Sequence, residues 1–265
     1  MTVAAAPPVN FDMGRVISAG FGLLARQPVR ILLLALALGF LPALVEGWAL
    51  ANTPGHSPQP GAALDFDDTL RRLGFTEGVA LVAAGFGWVL QGAAAVVAIA
   101  DAAGHDADIG AQLSRAAGRA PLIFVGGVFA TLAIFLGTLL LIVPGVLLAV
   151  AWTVAPAVGA VEGKGFLDIF RRSADLTRGS RGALFAIAFL LGLATLVLSL
   201  IFRVASGGSL LAANAVQPPL LIFAFQPALT AALHAVSASI GAAAYLELRG
   251  VKEGLTAGGL ASVFD

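Results

Sequence analysis

Few side chains in this chain combine reactive chemistry with a setting in which to use it. Three polar ones lie inside long apolar runs: Gln91, Gln226 and His234. An ionisable group at membrane depth is costly to keep there and usually marks a proton or substrate pathway. His234 lies 15 residues after Pro219, deep in the last apolar run, where an imidazole can relay a proton or hold a substrate. No second acid or base accompanies it, because Glu46 and Arg203 fall near the ends of their own runs. The expectation is a neutral imidazole hydrogen-bonded to a neighbouring helix, with Gln91 and Gln226 as neutral intramembrane polar contacts.

Other chemistries find less support. The chain has no cysteine, which removes disulfides, thiolate metal sites and thiol nucleophiles. His56, His105 and His234 are too scattered for metal-ligand spacing. Asp65, Asp67 and Asp68 resemble the start of a calcium loop, but positions six and twelve counted from Asp65 hold Leu70 and Thr76 instead of Gly and Glu. A solvated acidic loop is the reading. No phosphate loop, HExxH or GxSxG pattern occurs. The expectation is no catalytic site, no metal and no cofactor: not an enzyme.

One basic cluster remains: Arg115, Arg119, Arg171, Arg172, Arg178 and Arg181. Arginines at a membrane edge attract anionic headgroups, each by about 1 kcal/mol, and also set orientation. They form a candidate lipid-headgroup rim. They are too few, and too close to apolar runs, to suggest nucleic acid.

The elements that carry these residues follow from composition. The chain is 59% hydrophobic and 11% charged, with mean hydropathy +0.95 and zero net charge. Soluble domains hold about 25% charged residues, so this is an integral membrane protein. Continuous apolar runs, not short alternating segments, favour helices over a barrel. Between Arg119 and Glu162 lie 42 residues without a charge. As one helix they would reach ~63 Å, about twice the ~30 Å hydrocarbon core. They therefore predict two crossings joined by a tight turn at Pro144-Gly145.

The same reasoning predicts an all-α protein with six crossings, near 29–50, 78–100, 121–142, 146–161, 183–202 and 219–246. The fourth, short and bearing Trp152 and Pro156, is expected to be tilted or kinked. Residues 1–10 read as a disordered N-terminus, 11–254 as a single membrane domain, 52–76 as an outer loop with one short helix, and 255–265 as a C-terminal tail. Two amphipathic helices are expected in the interface. The first is 11–26, with Met13, Val16, Ile17, Phe21 and Leu24 on its apolar face. The second is 165–178, with Phe166, Ile169, Phe170 and Leu176 on one face. In the second, Asp168 is placed to pair with Arg171 and Arg172, and Asp175 with Arg178. Asp12, Asp108 and Asp168 each open a segment leading through basic residues into two crossings, which suggests a threefold helix-plus-hairpin repeat. Small residues four apart at Ala231, Ala235, Ser239 and Ala243 read as helix packing.

Six crossings put both termini on one side. That side carries Arg15, Arg26, Arg30, Arg115, Arg119, Lys164, Arg171, Arg172, Arg178, Arg181, Arg249 and Lys252, twelve basic residues against Arg71, Arg72 and Arg203. The positive-inside rule makes the richer side cytoplasmic.

Residues 141–179 carry a distinctive series: Pro144-Gly145, Trp152, Pro156, Glu162, Arg172-Ser173 and Leu176-Thr177-Arg178-Gly179. With Tyr245, Leu248-Arg249, Lys252-Glu253-Gly254 and Val263-Phe264-Asp265, the series resembles the bacterial glycerophosphoryl diester phosphodiesterase membrane-domain proteins and related uncharacterised multi-pass proteins. The resemblance implies a bacterial inner (plasma) membrane protein. In some relatives this membrane part is fused to a soluble metal-dependent phosphodiesterase, whose His and Glu clusters are missing here. The expected role is non-enzymatic organisation of membrane lipids or of a partner, either another protein or a second copy of the chain. The alternatives are a small-solute transporter or channel, and an accessory membrane subunit of a separate phosphodiesterase.

Overall fold

The computed structural model describes residues 10–51, 66–103, 109–205 and 220–254. Among them there are ten α-helices and two π-helical turns, and no strand. Six helical segments are long and apolar enough to cross a membrane, so the fold is an all-α multi-pass one, as expected. The N-terminal residues 1–9 and the tail 255–265 lie outside the described residues, as do His56, Asp65 and His105.

Helix α1 (Met13–Arg26) starts where Asp12 accepts a hydrogen bond from the Arg15 backbone N–H at 3.0 Å. That cap satisfies one of the first-turn donors. The buried face of α1 is Val16, Gly20 and Leu23; Met13 and Phe21 are exposed, so the helix is rotated from the face predicted for it. The cause is tertiary. Gly20 sits against Ile240, where a Cβ would come within 2.9 Å of the Ile240 Cα. Only a residue without a side chain allows that approach.

The first span combines α2 (Pro28–Ala35), a π turn at Leu36–Phe40 and α3 (Leu41–Ala51). A second π turn, Leu221–Phe225, precedes α10 (Gln226–Glu253). In each case a proline, Pro42 or Pro227, follows two residues after the turn. A helical proline clashes with the carbonyl four residues back and donates no hydrogen bond; widening the preceding turn accommodates both.

Helix α4 (Phe66–Ala103) is the axis of the bundle, with residues 92–100 buried throughout. It begins ten residues earlier than the predicted loop boundary, so Asp67 and Asp68 lie on its first turn and not in a loop. Helix α5 (Ile109–Leu140) runs through Pro121 without a break. Its start is continuous with the span, so of the three proposed repeat units only the first and third begin with a separate amphipathic helix.

The hairpin turn is not at Pro144-Gly145. Helix α5 ends at Leu140, a single extended residue, Leu141 (φ −158°, ψ 135°), reverses the chain, and α6 (Ile142–Ala151) contains both Pro144 and Gly145. Pro144 falls in the first turn of α6, where its missing N–H would have had no partner. Gly145 instead lets the two helices touch: a Cβ there would lie 2.6 Å from the Thr138 backbone nitrogen.

The fourth span is interrupted, as Trp152 and Pro156 suggested. Helix α6 stops at Ala151, residues 152–154 form a turn, and α7 (Ala155–Val161) resumes with Pro156 in its first turn. Helix α8 (Phe166–Thr177) lies across this break with Ile169, Phe170, Ser173, Leu176 and Thr177 buried, close to the predicted face. Gly179, at φ +91°, ends the segment. Helix α9 (Arg181–Ala205) leads away from it.

Candidate functional site

Breaking a helix inside a membrane frees backbone carbonyls that lipid cannot satisfy. Two sets of side chains meet that demand at the 152–154 turn. On one side, Ser173 Oγ donates to the Ala151 carbonyl at 2.8 Å and Thr177 Oγ1 approaches the same oxygen at 3.4 Å. On the other, Gln91 Nε2 donates to the Thr153 carbonyl at 2.9 Å. Trp152 packs on Phe170 with ring centroids 4.8 Å apart. The broken span is thus held by α8 from one side and α4 from the other.

Beside the break is a cavity of about 780 Å³. It is bounded by α4 at Trp88 and Gln91, by Trp152 and Thr153, by α9, and by one face of α10. Gln91, Gln226 and His234, which the sequence left as separate polar residues in different runs, all line it. None of the described lining residues carries a formal charge when His234 is neutral. Gln226, Thr230, Ser237 and Gly241 recur four or seven residues apart along α10 and share its cavity face. That polar stripe was visible in the sequence but lies beside the small-residue stripe, which drew the reading instead. Ala231, Ala235, Ser239 and Ala243 are indeed buried in the bundle. Thr195 and Ser199, one turn apart on α9, also line the cavity and had not been singled out.

His234 departs from its expected setting. Its Nδ1 is buried and has no hydrogen-bond partner, where a bond to a neighbouring helix was expected. Gly241 faces Gln91 so closely that a Cβ there would overlap the amide nitrogen and lie 3.0 Å from Gln91 Cδ.

A second polar assembly occupies the end of the bundle where α1, α8 and the C-termini of α4, α7 and α10 gather. Arg172 donates to Glu162 at 2.9 Å and to Glu253. Arg249 donates to Glu253 at 2.8 Å and to the Tyr245 hydroxyl at 3.2 Å. Tyr245 in turn donates to Glu162 at 3.2 Å. Tyr245 is fully buried and Arg249 nearly so. Burial opposes the Arg172 charge, but its bonds to Glu253 and Glu162 prevail and raise its pKa above the ordinary arginine value. Two further ion pairs seat α1: Arg15 on Glu247 at 2.7 Å and Arg26 on Asp101 at 2.8 Å.

The proposed rim is therefore divided. Arg172 faces inward and belongs to the buried network, because α8 presents it to Glu162 and Glu253 and not to Asp168. Arg171 and Arg178 point outward, with i,i+3 contacts to Asp168 at 3.7 Å and Asp175 at 3.8 Å. Exposed pairs of this kind contribute little. Arg119 lies partly buried against Gly163, and Arg181 reaches back to the Ala174 carbonyl at 3.4 Å. Arg115 is exposed at the start of α5.

The family described as a domain of unknown function (DUF7847) matches residues 68–248, from the first turn of α4 to one helical turn before the end of α10. No curated protein matches the chain. Nor does any solved structure.

Proposed function

The chain belongs to the DUF7847 family, and for it we propose a carrier-type role: binding, within the membrane, of a small uncharged molecule that the protein moves or presents. The supporting observation is the cavity that Gln91, Gln226 and His234 share beside an interrupted span. Interrupted membrane helices are where many carriers bind their substrates, and here the break borders the cavity while its Ala151 and Thr153 carbonyls are bonded by Ser173 and Gln91. An uncharged, partly polar lining suits a neutral ligand with hydrogen-bonding groups. The reading has no nucleophile or acid–base pair in it and is non-enzymatic.

The setting we propose is the bacterial inner membrane with both termini in the cytoplasm. The excess of twelve basic residues over three supports it. A reporter enzyme active only outside the cytoplasm should work when fused at residue 60 and be silent at residue 175. The opposite pattern would invert the topology.

The carrier role is tested by native mass spectrometry of protein released from its own membrane. A bound small-molecule mass is expected in the natural chain and not in Ser237→Phe, which fills the cavity. No bound mass, or the same mass in both, would overturn the reading. Lipid organisation is the second reading, favoured by the outward-facing Arg171 and Arg178. Charge reversal of both should then abolish a preference for anionic lipid.

A further inference from the structure

The wall formed by α9 differs from the others. Among its described side chains only Leu184 and Ile187 are buried, and both lie within the first two turns. Residues 192–200 are exposed without exception, yet Gly192, Thr195, Ser199 and Leu200 line the cavity. At its far end α9 is tied again, where Phe202 stacks on Phe225 at 5.4 Å with the rings 6° apart. A helix held at both ends and open between them leaves a slot about eight residues, or ~12 Å, long. Leu193, Leu196, Val197 and Ile201 beside it are exposed apolar residues on a helix long and apolar enough to cross a membrane. Placed in a bilayer, such a slot opens toward lipid.

We propose that the occupant is a bilayer-borne, uncharged amphiphile: a hydrocarbon body with a hydroxyl or amide head, entering sideways past α9. This rests on the cavity being a ligand site, as proposed above. Two features select that class. No formal charge among the described lining residues can neutralise an anionic or cationic head, and burying an unpaired charge is prohibitive. The free part of the Gln91 amide, with Gln226, Thr230 and Ser237, provides hydrogen-bonding capacity for a neutral head, while Trp88, Trp152, Leu191 and Leu200 provide an apolar surface for the body. A water-borne polar solute would have no use for the lateral opening.

The chain's three tryptophans make the test direct. Trp48→Phe leaves Trp88 and Trp152, both at the cavity, as the only tryptophans, and excitation at the red edge of tryptophan absorption leaves Tyr245 dark. In vesicles of phosphatidylglycerol and phosphatidylethanolamine, trace diacylglycerol brominated on its chains should quench them more than equal amounts of identically brominated phosphatidylglycerol. Adding Gln91→Leu should weaken the diacylglycerol effect by about tenfold in half-saturating concentration, the factor for one lost hydrogen bond to a ligand. Equal quenching by both brominated lipids, with acrylamide from water reaching both tryptophans and a bound mass in the native spectrum, would overturn lateral entry but keep the carrier reading. Equal quenching without acrylamide access or a bound mass would overturn both. An unchanged diacylglycerol response in Gln91→Leu would overturn the assigned head-group contact.

Discussion

The side-chain amide of Gln91 hydrogen-bonds, at 2.9 Å, the backbone carbonyl of Thr153 in the middle of an interrupted membrane span. One neutral side chain on the central helix thereby satisfies a carbonyl that the break at 152–154 exposes, at the edge of the cavity. Stability and the proposed ligand site meet in this one contact.

Gly241 keeps that contact in place. In Gly241→Ala the new methyl overlaps the Gln91 amide, which must leave Thr153. Losing the bond and leaving a carbonyl unsatisfied costs about 1–3 kcal/mol. Thermal unfolding in detergent should show Gly241→Ala and Gln91→Leu destabilised to similar extents, with the double variant little worse than either, as for two changes acting on one interaction.

The opposite side of the break depends on Ser173 more than on Thr177, since their distances to the Ala151 carbonyl are 2.8 and 3.4 Å. Ser173→Ala is expected to cost about 1–3 kcal/mol and Thr177→Val less. The same unfolding measurement ranks them; the reverse order would mean that the longer contact is the one that matters.

Arg172 faces two carboxylates, Glu162 and Glu253. Arg172→Ala leaves Glu162 without a guanidinium and Glu253 with Arg249 alone, and about 3 kcal/mol of destabilisation is expected, the low end for breaking a buried pair because Arg172 keeps some exposure. Arg171→Ala, one residue away on the exposed face, should change stability by less than about 0.5 kcal/mol. The contrast between adjacent arginines is read from their melting temperatures.

Gly145→Ala should separate the α5–α6 hairpin, because its methyl would lie 2.6 Å from the Thr138 backbone nitrogen. Overpacking of this kind costs about 1–3 kcal/mol or more where backbone must move. Pro144→Ala, in the first turn of α6 and not at the reversal, should be tolerated. If Pro144→Ala were the more damaging, the turn would be where the sequence suggested.

Asp12 introduces a pH dependence. Its backbone bond to Arg15 lowers its pKa below the ordinary value of 3.8. A depressed carboxylate contributes stability that is present above the unfolded pKa and lost as pH falls through the folded one. The melting difference between the natural chain and Asp12→Ala should be constant above about pH 5 and shrink below 3.8.

The resemblance motif has a physical content that its spacing concealed. Glu162, Arg172, Tyr245, Arg249 and Glu253 bond to one another, while Ser173 and Thr177 close the broken helix. Residues up to 91 positions apart along the chain thus serve two local jobs. Their spacing along the chain does not reveal this, because only the packing of α8 against α10 brings them together.

Composition and run length by themselves determined the six spans, the Asp12 helix start, the buried face of α8 and the weakness of the fourth span at Trp152 and Pro156. These depend on properties that add along the chain: hydropathy, charge spacing and the missing proline N–H. Only tertiary structure decided the rotation of α1 onto Gly20, the reversal at Leu141, the inward turn of Arg172 and the cavity joining Gln91, Gln226 and His234. Each depends on how closely two helices approach and which polar atom meets which. A glycine or glutamine has the same hydropathy whichever neighbour it faces, so that information is absent until the helices pack.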